Sequence, residues 1–325
     1  MHVYSLPLRT TFRGLQRRTG VVWSGPYGWA EFSPFEEYDD HEALSWLQAA
    51  YEAANLPPVP VLRNRIPVNV TVPATTAERA HHIVTSSQGC TTAKVKVAEP
   101  GQSLGQEIER LEAVRDALGP AGHIRVDANG AWDVDTAAAR LTVLNRAAGG
   151  LQYAEQPCPT VPELAQLRRR MSVPIAADES IRRAEDPYQV IAQDAADILV
   201  LKVQPLGGVR ACLRLAEELG KPVVVSSALE SSVGLRQGLH LAAALPELPY
   251  ACGLATAQLF TTDTIDPPLL PVNGHITLTD TAPTPATLTA SAASPDTTHW
   301  WEQRITRVQQ LLGSAQPPTA HTGGR

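Results

Sequence analysis

The sequence predicts an α/β protein, a (β/α) barrel preceded by a small α+β domain. Three observations carry this. From residue 65 onward, eight short apolar runs alternate with segments of helical period. Asp127, Glu155, Asp178 and Lys202 close four successive runs, IRVD, LQYAE, PIAAD and LVLK, at spacings of 28, 23 and 24 residues. That step is one strand plus one helix. Right-handed crossovers wind such a series into a barrel, and charges at the C-terminal ends of its strands converge on one mouth.

Residues 1–64 differ in character. They hold Tyr4, Trp23, Tyr27, Trp29, Tyr38, Trp46 and Tyr51. MHVYSLPL and GVVWSG read as strands, and DDHEALSWLQAAYEAANL reads as a helix. The barrel series then begins with strand RIPVNVTV, helix TTAERAHHIVTSS and strand TAKVKVAE. The clearest helix runs from Ser103 to Leu118. Its apolar stripe is Leu104, Ile108, Leu111, Val114 and Leu118, Ser103 with Gln106 fits a capping box, and Gly119-Pro120 stops it. Next come strand HIRVDAN, a helix from about Asp135, strand LQYAEQP, helix VPELAQLRRR and strand VPIAADES. DPYQVIAQDA is helical, DILVLKV is a strand, VRACLRLAEELG is a helix ending at Gly220, and KPVVVSSALE is a strand. QGLHLAAAL and then YACGLAT close the series. Beyond about residue 270, TDTAPTPATLTASAASPDTT reads as linker. HWWEQRITRVQQLLG reads as a helix packed back on the N-terminal domain, and SAQPPTAHTGGR as disordered.

The net charge of −6 gives no sign of nucleic-acid binding, and Arg168, Arg169 and Arg170 read as a solvated helix face. Cys90, Cys158, Cys212 and Cys252 are scattered without a CxxC, the pattern of reduced thiols. The N-terminus lacks the apolar core of a signal peptide, and no apolar run reaches membrane-spanning length. These features lead to the expectation of a soluble, cytoplasmic protein with no membrane contact, no nucleic-acid partner and no evident obligate protein partner.

Taken singly, Asp127, Glu155 or Asp178 reads first as a helix N-cap or a surface charge in a βα loop. Three in register, followed by a lysine in register, read as an oxygen-rich cage for a hard divalent cation. Lys94 and Lys96 alternate on one strand and so share a face. A surface-exposed KVK edge is the bland placement. The barrel mouth, facing the carboxylates, is the functional one, with Lys202 approaching from the sixth strand across the barrel. A cation bound to a substrate carboxylate stabilises the dianion left when an α-proton is removed, and lysines on either face act as base or electrostatic partner.

KVK (Lys94, Lys96), VDANGAW (Asp127, Asn129, Trp132), EQPC (Glu155), ADES (Asp178, Glu179) and LVLKVQPLGG (Lys202), in this order and spacing, resemble the enolase superfamily over most of the chain. Within it the chain looks like the muconate-lactonizing-enzyme subgroup. The resemblance implies a modified (β/α)₇β barrel over residues 65–270 and an α+β capping domain built from residues 1–64 and about 271–325. It implies Mg²⁺, with Mn²⁺ as a substitute, bound by Asp127, Glu155 and Asp178. It implies Lys96 as general base and Lys202 as its counterpart on the opposite face, with Lys94 beside them in the catalytic set.

SSALESSVG (Ser226 to Gly234) and CGLAT (Gly253) are similar to the o-succinylbenzoate synthases of that subgroup. There, this region holds a succinyl carboxylate through hydroxyls and backbone N–H groups. Ser226, Ser227 and Gly253, together with Asn129, are therefore the expected contacts to a small-molecule carboxylate substrate. The alternative is that Ser226, Ser227, Ser231 and Ser232 only satisfy a turn and a helix N-cap. The implied reaction is dehydration of 2-succinyl-6-hydroxy-2,4-cyclohexadiene-1-carboxylate in menaquinone synthesis.

Three other readings compete: an N-succinylamino acid racemase, a Schiff-base aldolase using Lys202, and a non-catalytic binding barrel. Dipeptide epimerases of the subgroup carry a DxD motif on the eighth strand. Here CGLATAQLF has no acid before Asp263, and Ala255 stands where the family has one. PYGW (Pro26 to Trp29) reads either as a mobile lid or as a packed turn.

Overall fold

A computed structural model of the chain describes residues 1–183 and 187–315. The N-terminal capping domain opens with an antiparallel meander, β1 (His2–Phe12), β2 (Leu15–Gly25) and β3 (Gly28–Phe32), followed by α1 (Leu44–Asn55). The turn between β2 and β3 contains the PYGW stretch. It lies against the C-terminal end of α1, where the Tyr27 N–H donates to the Ala54 carbonyl at 3.0 Å. Tyr27 itself is exposed, and no residue of PYGW lines the cavity at the barrel mouth.

RIPVNVTV divides in two. β4 (Arg65–Pro67) pairs antiparallel with β12 (His275–Thr277) outside the barrel, and β5 (Val70–Val72) enters it. Proline cannot donate to a ladder, which suits Pro67 to the end of β4. The chain then alternates helix and parallel strand. In order these are α2 (Ala77–Thr85), β6 (Thr92–Lys96), α3 (Leu104–Leu118), β7 (His123–Asp127), α4 (Val134–Ala147), β8 (Tyr153–Glu155) and α5 (Val161–Arg168). β9 (Ile175–Ala177), α6 (Glu179–Arg182), α7 (Gln189–Ala192), β10 (Ile198–Leu201), α8 (Val209–Leu219), β11 (Val223–Val225) and α9 (Ser232–Ala244) follow. Strands β5 to β11 neighbour one another in chain order.

The eighth strand is reduced to two residues. Cys252 bridges Val68 ahead of β5, and Gly253 bridges Ser226 beyond β11, both parallel. YACGLAT is therefore shorter than expected but closes the ring in the expected place, and a 3₁₀ turn at Thr256–Leu259 follows at once.

The helix signals act as read. Ser103 and Gln106 form the capping box of α3, and Gly220 ends α8 in the left-handed conformation. DPYQVIAQDA is helical only over α7, and residues 184–186 lie outside the described residues. TDTAPTPATLTASAASPDTT is not simply linker. It contains α10 (Pro285–Ser291), started by a Thr284–Thr287 capping box with proline in the first turn, and the start of α11 (Pro295–Ala315).

α11 packs back on the capping domain as expected. Trp301 meets Phe32 edge-on at 5.9 Å, and Arg304 donates to the carbonyls of Phe35 and Tyr38. Residues 316–325 of the expected disordered tail lie outside the described residues. Among the described residues no helix is long and apolar enough to cross a membrane. All four cysteines are buried free thiols.

Inward and outward positions alternate on the barrel strands. Tyr153, Ala176, Ile198, Val200 and Val224 fill the inside, while a much larger apolar layer lies between sheet and helices. Arg125 is also inside and fully buried, donating to Gln152, Asn69 and the Ala251 carbonyl. The next inward residues, one pleat nearer the C-terminal ends, are the charged ones.

Candidate active site

The strand register builds the site. Lys96 lies beside Asp127, and Asp127 beside Glu155. Asp178 follows β9 directly and Lys202 follows β10. In the eight-membered ring β6 and β10 are four strands apart, so Lys96 and Lys202 face one cavity from opposite sides. Both lysines of KVK point inward, and the surface-edge placement is excluded.

The three carboxylates are buried, at 1% exposure or less. Lys94 bridges two of them, at 2.9 Å to Asp127 and 2.7 Å to Glu155. Lys96 lies 2.7 Å from the same Asp127 oxygen and 2.5 Å from Asn129 Oδ1. Lys202 lies 2.6 Å from Asp178. Sequence reasoning missed Arg182, which donates to Asp178 at 2.9 Å, to Glu179 at 2.5 Å and to the Tyr38 hydroxyl at 3.0 Å. Its place four residues after Asp178, on the same helical face, was the available signal.

The electrostatics follow from this packing. Burial would raise the pKa of Asp127, but the ammonium groups of Lys94 and Lys96 outweigh it and hold the carboxyl well below its usual range. Burial also opposes ionisation of Asp178, and Arg182 with Lys202 brings it down to about 2. Glu155 goes the other way. Burial, then the charges of Asp127 and Asp178, push it up to about 7 against the pull of Lys94 and Lys202. For Lys94, burial acts against the charge, yet Asp127 and Glu155 raise its pKa well above normal.

The donor chemistry fits a divalent cation: three hard carboxylates on successive strand ends, one of them short of positive charge. Among the described residues, however, no three acidic, His or Cys side chains are drawn together as a ready cage. Ammonium groups join the carboxylates instead, and the cavity above them is narrow, about 40 Å³. A roomier groove of about 850 Å³ lies outside the mouth, lined by Arg9, Arg79 and the segment after Gly253, and contains none of the three carboxylates.

The expected substrate contacts divide. Asn129, Ser226, Ser227 and Gly253 all line the cavity. Asn129 reaches it from a left-handed turn (φ 48°) and donates to Glu179 while accepting from Lys96. The backbone N–H groups expected to hold a carboxylate are already engaged. Those of Ser226, Ser227 and Gly253 donate to the carbonyls of Leu201, Gly253 and Val225, closing the barrel. The hydroxyls there are Ser226 Oγ and Ser227 Oγ, the latter 2.8 Å from Thr256 Oγ1, where either atom can be the donor. A Cβ on Gly253 would stand 2.6 Å from Ser226 Oγ, so glycine is what lets that hydroxyl fit.

Ser231 and Ser232 take the bland reading. Ser231 is the N-cap of α9, and Ser232 bonds Asp263 through both N–H and hydroxyl. Asp263 thus caps a helix, which agrees with the absence of an acid on the eighth strand. The capping domain closes the cavity with Phe12 and Arg13, at the tip of the β1–β2 hairpin, and with Phe35. The hairpin, rather than PYGW, lies over the site.

Comparison with known proteins agrees. Residues 75–283 match the "Enolase C-terminal domain-like" family and residues 3–54 the "Enolase N-terminal domain-like" family. An o-succinylbenzoate synthase from Thermobifida fusca is 64% identical over 272 residues, 83% of this chain and 84% of that protein. One from Mycobacterium bovis is 51% identical over 312 residues, 96% and 94% of the two chains. Two solved structures share the fold at 20% identity and a TM-score of 0.75, each over 90% of this chain and 97% of its own. They are muconate lactonizing enzyme from Pseudomonas fluorescens and N-succinyl Arg/Lys racemase from Bacillus cereus. The chain therefore belongs to the enolase superfamily and, within it, to the o-succinylbenzoate synthase family.

Proposed function

We propose that this chain is an o-succinylbenzoate synthase, a lyase that removes water from 2-succinyl-6-hydroxy-2,4-cyclohexadiene-1-carboxylate. Its working cation is Mg²⁺, with Mn²⁺ able to replace it. The observation that carries the reading is the placement of Lys96 and Lys202 on opposite sides of one cavity, each against a carboxylate of the cage. The names of the relatives at 51% and 64% identity support the choice of substrate.

Lys96, as the free amine, takes the proton from the carbon that bears the substrate carboxylate. Asn129 Oδ1 and Asp127 fix its nitrogen for that task. The electron pair passes toward the carboxylate, where Lys202 on the far side stabilises the charge without moving a proton. Lys96, now an ammonium, returns its proton to the ring hydroxyl on the same face as the C–O bond breaks. One C–H and one C–O bond are lost, a ring C=C bond forms, and the hydroxyl leaves as water. The product is aromatic, so the elimination runs downhill. A divalent cation held by Asp127, Glu155 and Asp178 would supply Lewis-acid stabilisation of the developing carboxylate charge.

Charge balance supports an anionic substrate. Asp127, Glu155, Asp178 and Glu179 face Lys94, Lys96, Lys202 and Arg182, four charges of each sign. With Lys96 as the free amine, a divalent ion leaves the site with a net positive charge, which favours an anionic substrate. Ser226 and Ser227, which line the cavity, receive its succinyl end. We assign residues 65–270, apart from β4, to the barrel and 1–64 with about 271–315 to the cap, which is supported by the packing of α10 and α11 on β1.

Racemisation of N-succinylamino acids is the second reading, favoured by the same two-lysine symmetry. The test measures loss of cyclohexadiene absorbance, with Mg²⁺ and then with EDTA, alongside racemisation. Metal-dependent dehydration without racemisation is the expected result. Racemisation without dehydration would overturn the assignment.

A further inference from the structure

The wall of the cavity formed by residues 226–231 is held from behind by the capping domain. Leu229 lies at φ +64°, a conformation that side-chain-bearing residues rarely adopt. Arg18 on β2, 2% exposed, braces that turn. Its Nε donates to the Leu229 carbonyl at 3.1 Å, and one terminal nitrogen donates to the Ala228 carbonyl at 3.4 Å and to the Ser33 carbonyl. Its guanidinium also lies 4.4 Å from the ring centre of Phe35, which lines the cavity.

Glu31 on β3, also 2% exposed, takes hold one step further on. It accepts from the Ser231 N–H at 3.2 Å, the Ser231 hydroxyl and the Gly234 N–H at 2.9 Å. A negative group is favourable against these first N–H groups of α9. A Cβ on Gly234 would come 2.6 Å from Glu230 Cβ and 2.9 Å from the Glu31 carboxylate, so glycine leaves room for both side chains. From the capping side, Tyr4 and Ser33 hydroxyls donate to Glu31 at 2.7 Å each. The Ser33 N–H donates to Gln204, two residues beyond Lys202, at 3.2 Å. Neither Arg18 nor Glu31 lines the cavity.

We propose that Arg18 and Glu31 are positioning residues, an inter-domain clasp that holds the 227–231 turn in the shape that receives the substrate's anionic end. The clasp rests on the dehydratase reading for its substrate, and only for that. It makes affinity depend on capping-domain residues that touch neither substrate nor metal.

The test uses the full-length Arg18→Lys and Glu31→Gln proteins, with Tyr4→Phe as a milder variant that removes one donor to Glu31. KM for the cyclohexadiene substrate should rise about tenfold in the first two variants and roughly threefold in Tyr4→Phe, with kcat within about threefold of wild type. The Mg²⁺ concentration for half-maximal activity should not move. Hydrogen exchange of the amides of residues 227–234 should quicken by about tenfold while β6 to β9 stay protected. A purely structural role would lower the unfolding temperature and the active fraction, leaving KM and local exchange unchanged, and that result overturns the proposal. The exchange measurement needs no turnover. Should the wild-type protein not dehydrate the substrate, unchanged exchange would still refute the clasp, and faster exchange confined to 227–234 would support it.

Discussion

Replacement of Lys94 by methionine tests how the cage is balanced. Lys94 touches Asp127 and Glu155 at 2.9 and 2.7 Å, with its side chain 9% exposed. Methionine fills the space but leaves two buried carboxylates with less compensation. Removing one partner from a buried ion pair costs about 3–5 kcal/mol. For a chain of this size that corresponds to a fall of roughly 6–10 °C in unfolding temperature. The loss belongs to the metal-free protein. A divalent ion held by the carboxylates stabilises wild type and variant alike, and the gap narrows by the variant's tighter binding, about 1.4 kcal/mol for each tenfold in Kd. The assay is thermal unfolding of wild type and variant at pH 8, in EDTA and in saturating Mg²⁺. At that pH Glu155, pushed up to about 7, is mostly ionised in wild type, and losing the pull of Lys94 raises it further in the variant. The variant should melt well below wild type in EDTA, and the gap should narrow in Mg²⁺. A gap below about 1 kcal/mol, the size of a surface pair, or a gap that Mg²⁺ leaves unchanged, would refute the reasoning.

Further outcomes follow from the same contacts. Lys202→Arg keeps the charge beside Asp178 but replaces the amine by a guanidinium that does not give up a proton, so dehydration should persist within about 10²-fold of wild type while any racemisation disappears. Equal loss of both activities would show that Lys202 moves a proton in dehydration. Gly253→Ala places a Cβ 2.6 Å from Ser226 Oγ and should raise KM by about tenfold with the metal requirement unaltered. A change in Mg²⁺ affinity alone would contradict it. Glu230 is pushed up to about 7 from 4.5 by burial and by Glu31. The folded state therefore holds an extra proton between those values. Its stabilising contribution is fully present below pH 4.5 and is lost as pH rises toward 7. Glu230→Gln stays neutral and should flatten that slope in denaturant unfolding between pH 5 and 8. An unchanged slope would place the titration elsewhere.

The barrel and the charged ring were legible in the sequence because both are periodic. Lys94, Lys96, Asp127, Glu155, Asp178 and Lys202 sit at fixed positions on successive strand ends, and a two-residue alternation fixes which face a side chain takes. The eighth strand was legible as a place but not as a length, since Cys252 and Gly253 close the ring with two isolated bridges. α10 was hidden by a Thr- and Pro-rich composition that also makes good helix N-termini. What could not be read were the long-range partners. Arg18 meets Leu229 across 211 residues, and Glu31 meets Ser231 across 200. Neither pairing leaves a local pattern. The roles of the serines split for the same reason. Ser231 and Ser232 meet acids from distant segments, while Ser226 and Ser227 keep hydroxyls toward the cavity.

The account rests on Lys96 as the base of a metal-assisted elimination. The direct measurement is cyclohexadiene consumption by Lys96→Ala and wild type in saturating Mg²⁺, with Mg²⁺ affinity followed in parallel by unfolding. Turnover should fall by about 10³–10⁴-fold in the variant, with Mg²⁺ still stabilising it. Turnover within about tenfold of wild type would contradict the account, because a group that only supplies charge beside Asp127 could be lost at that cost.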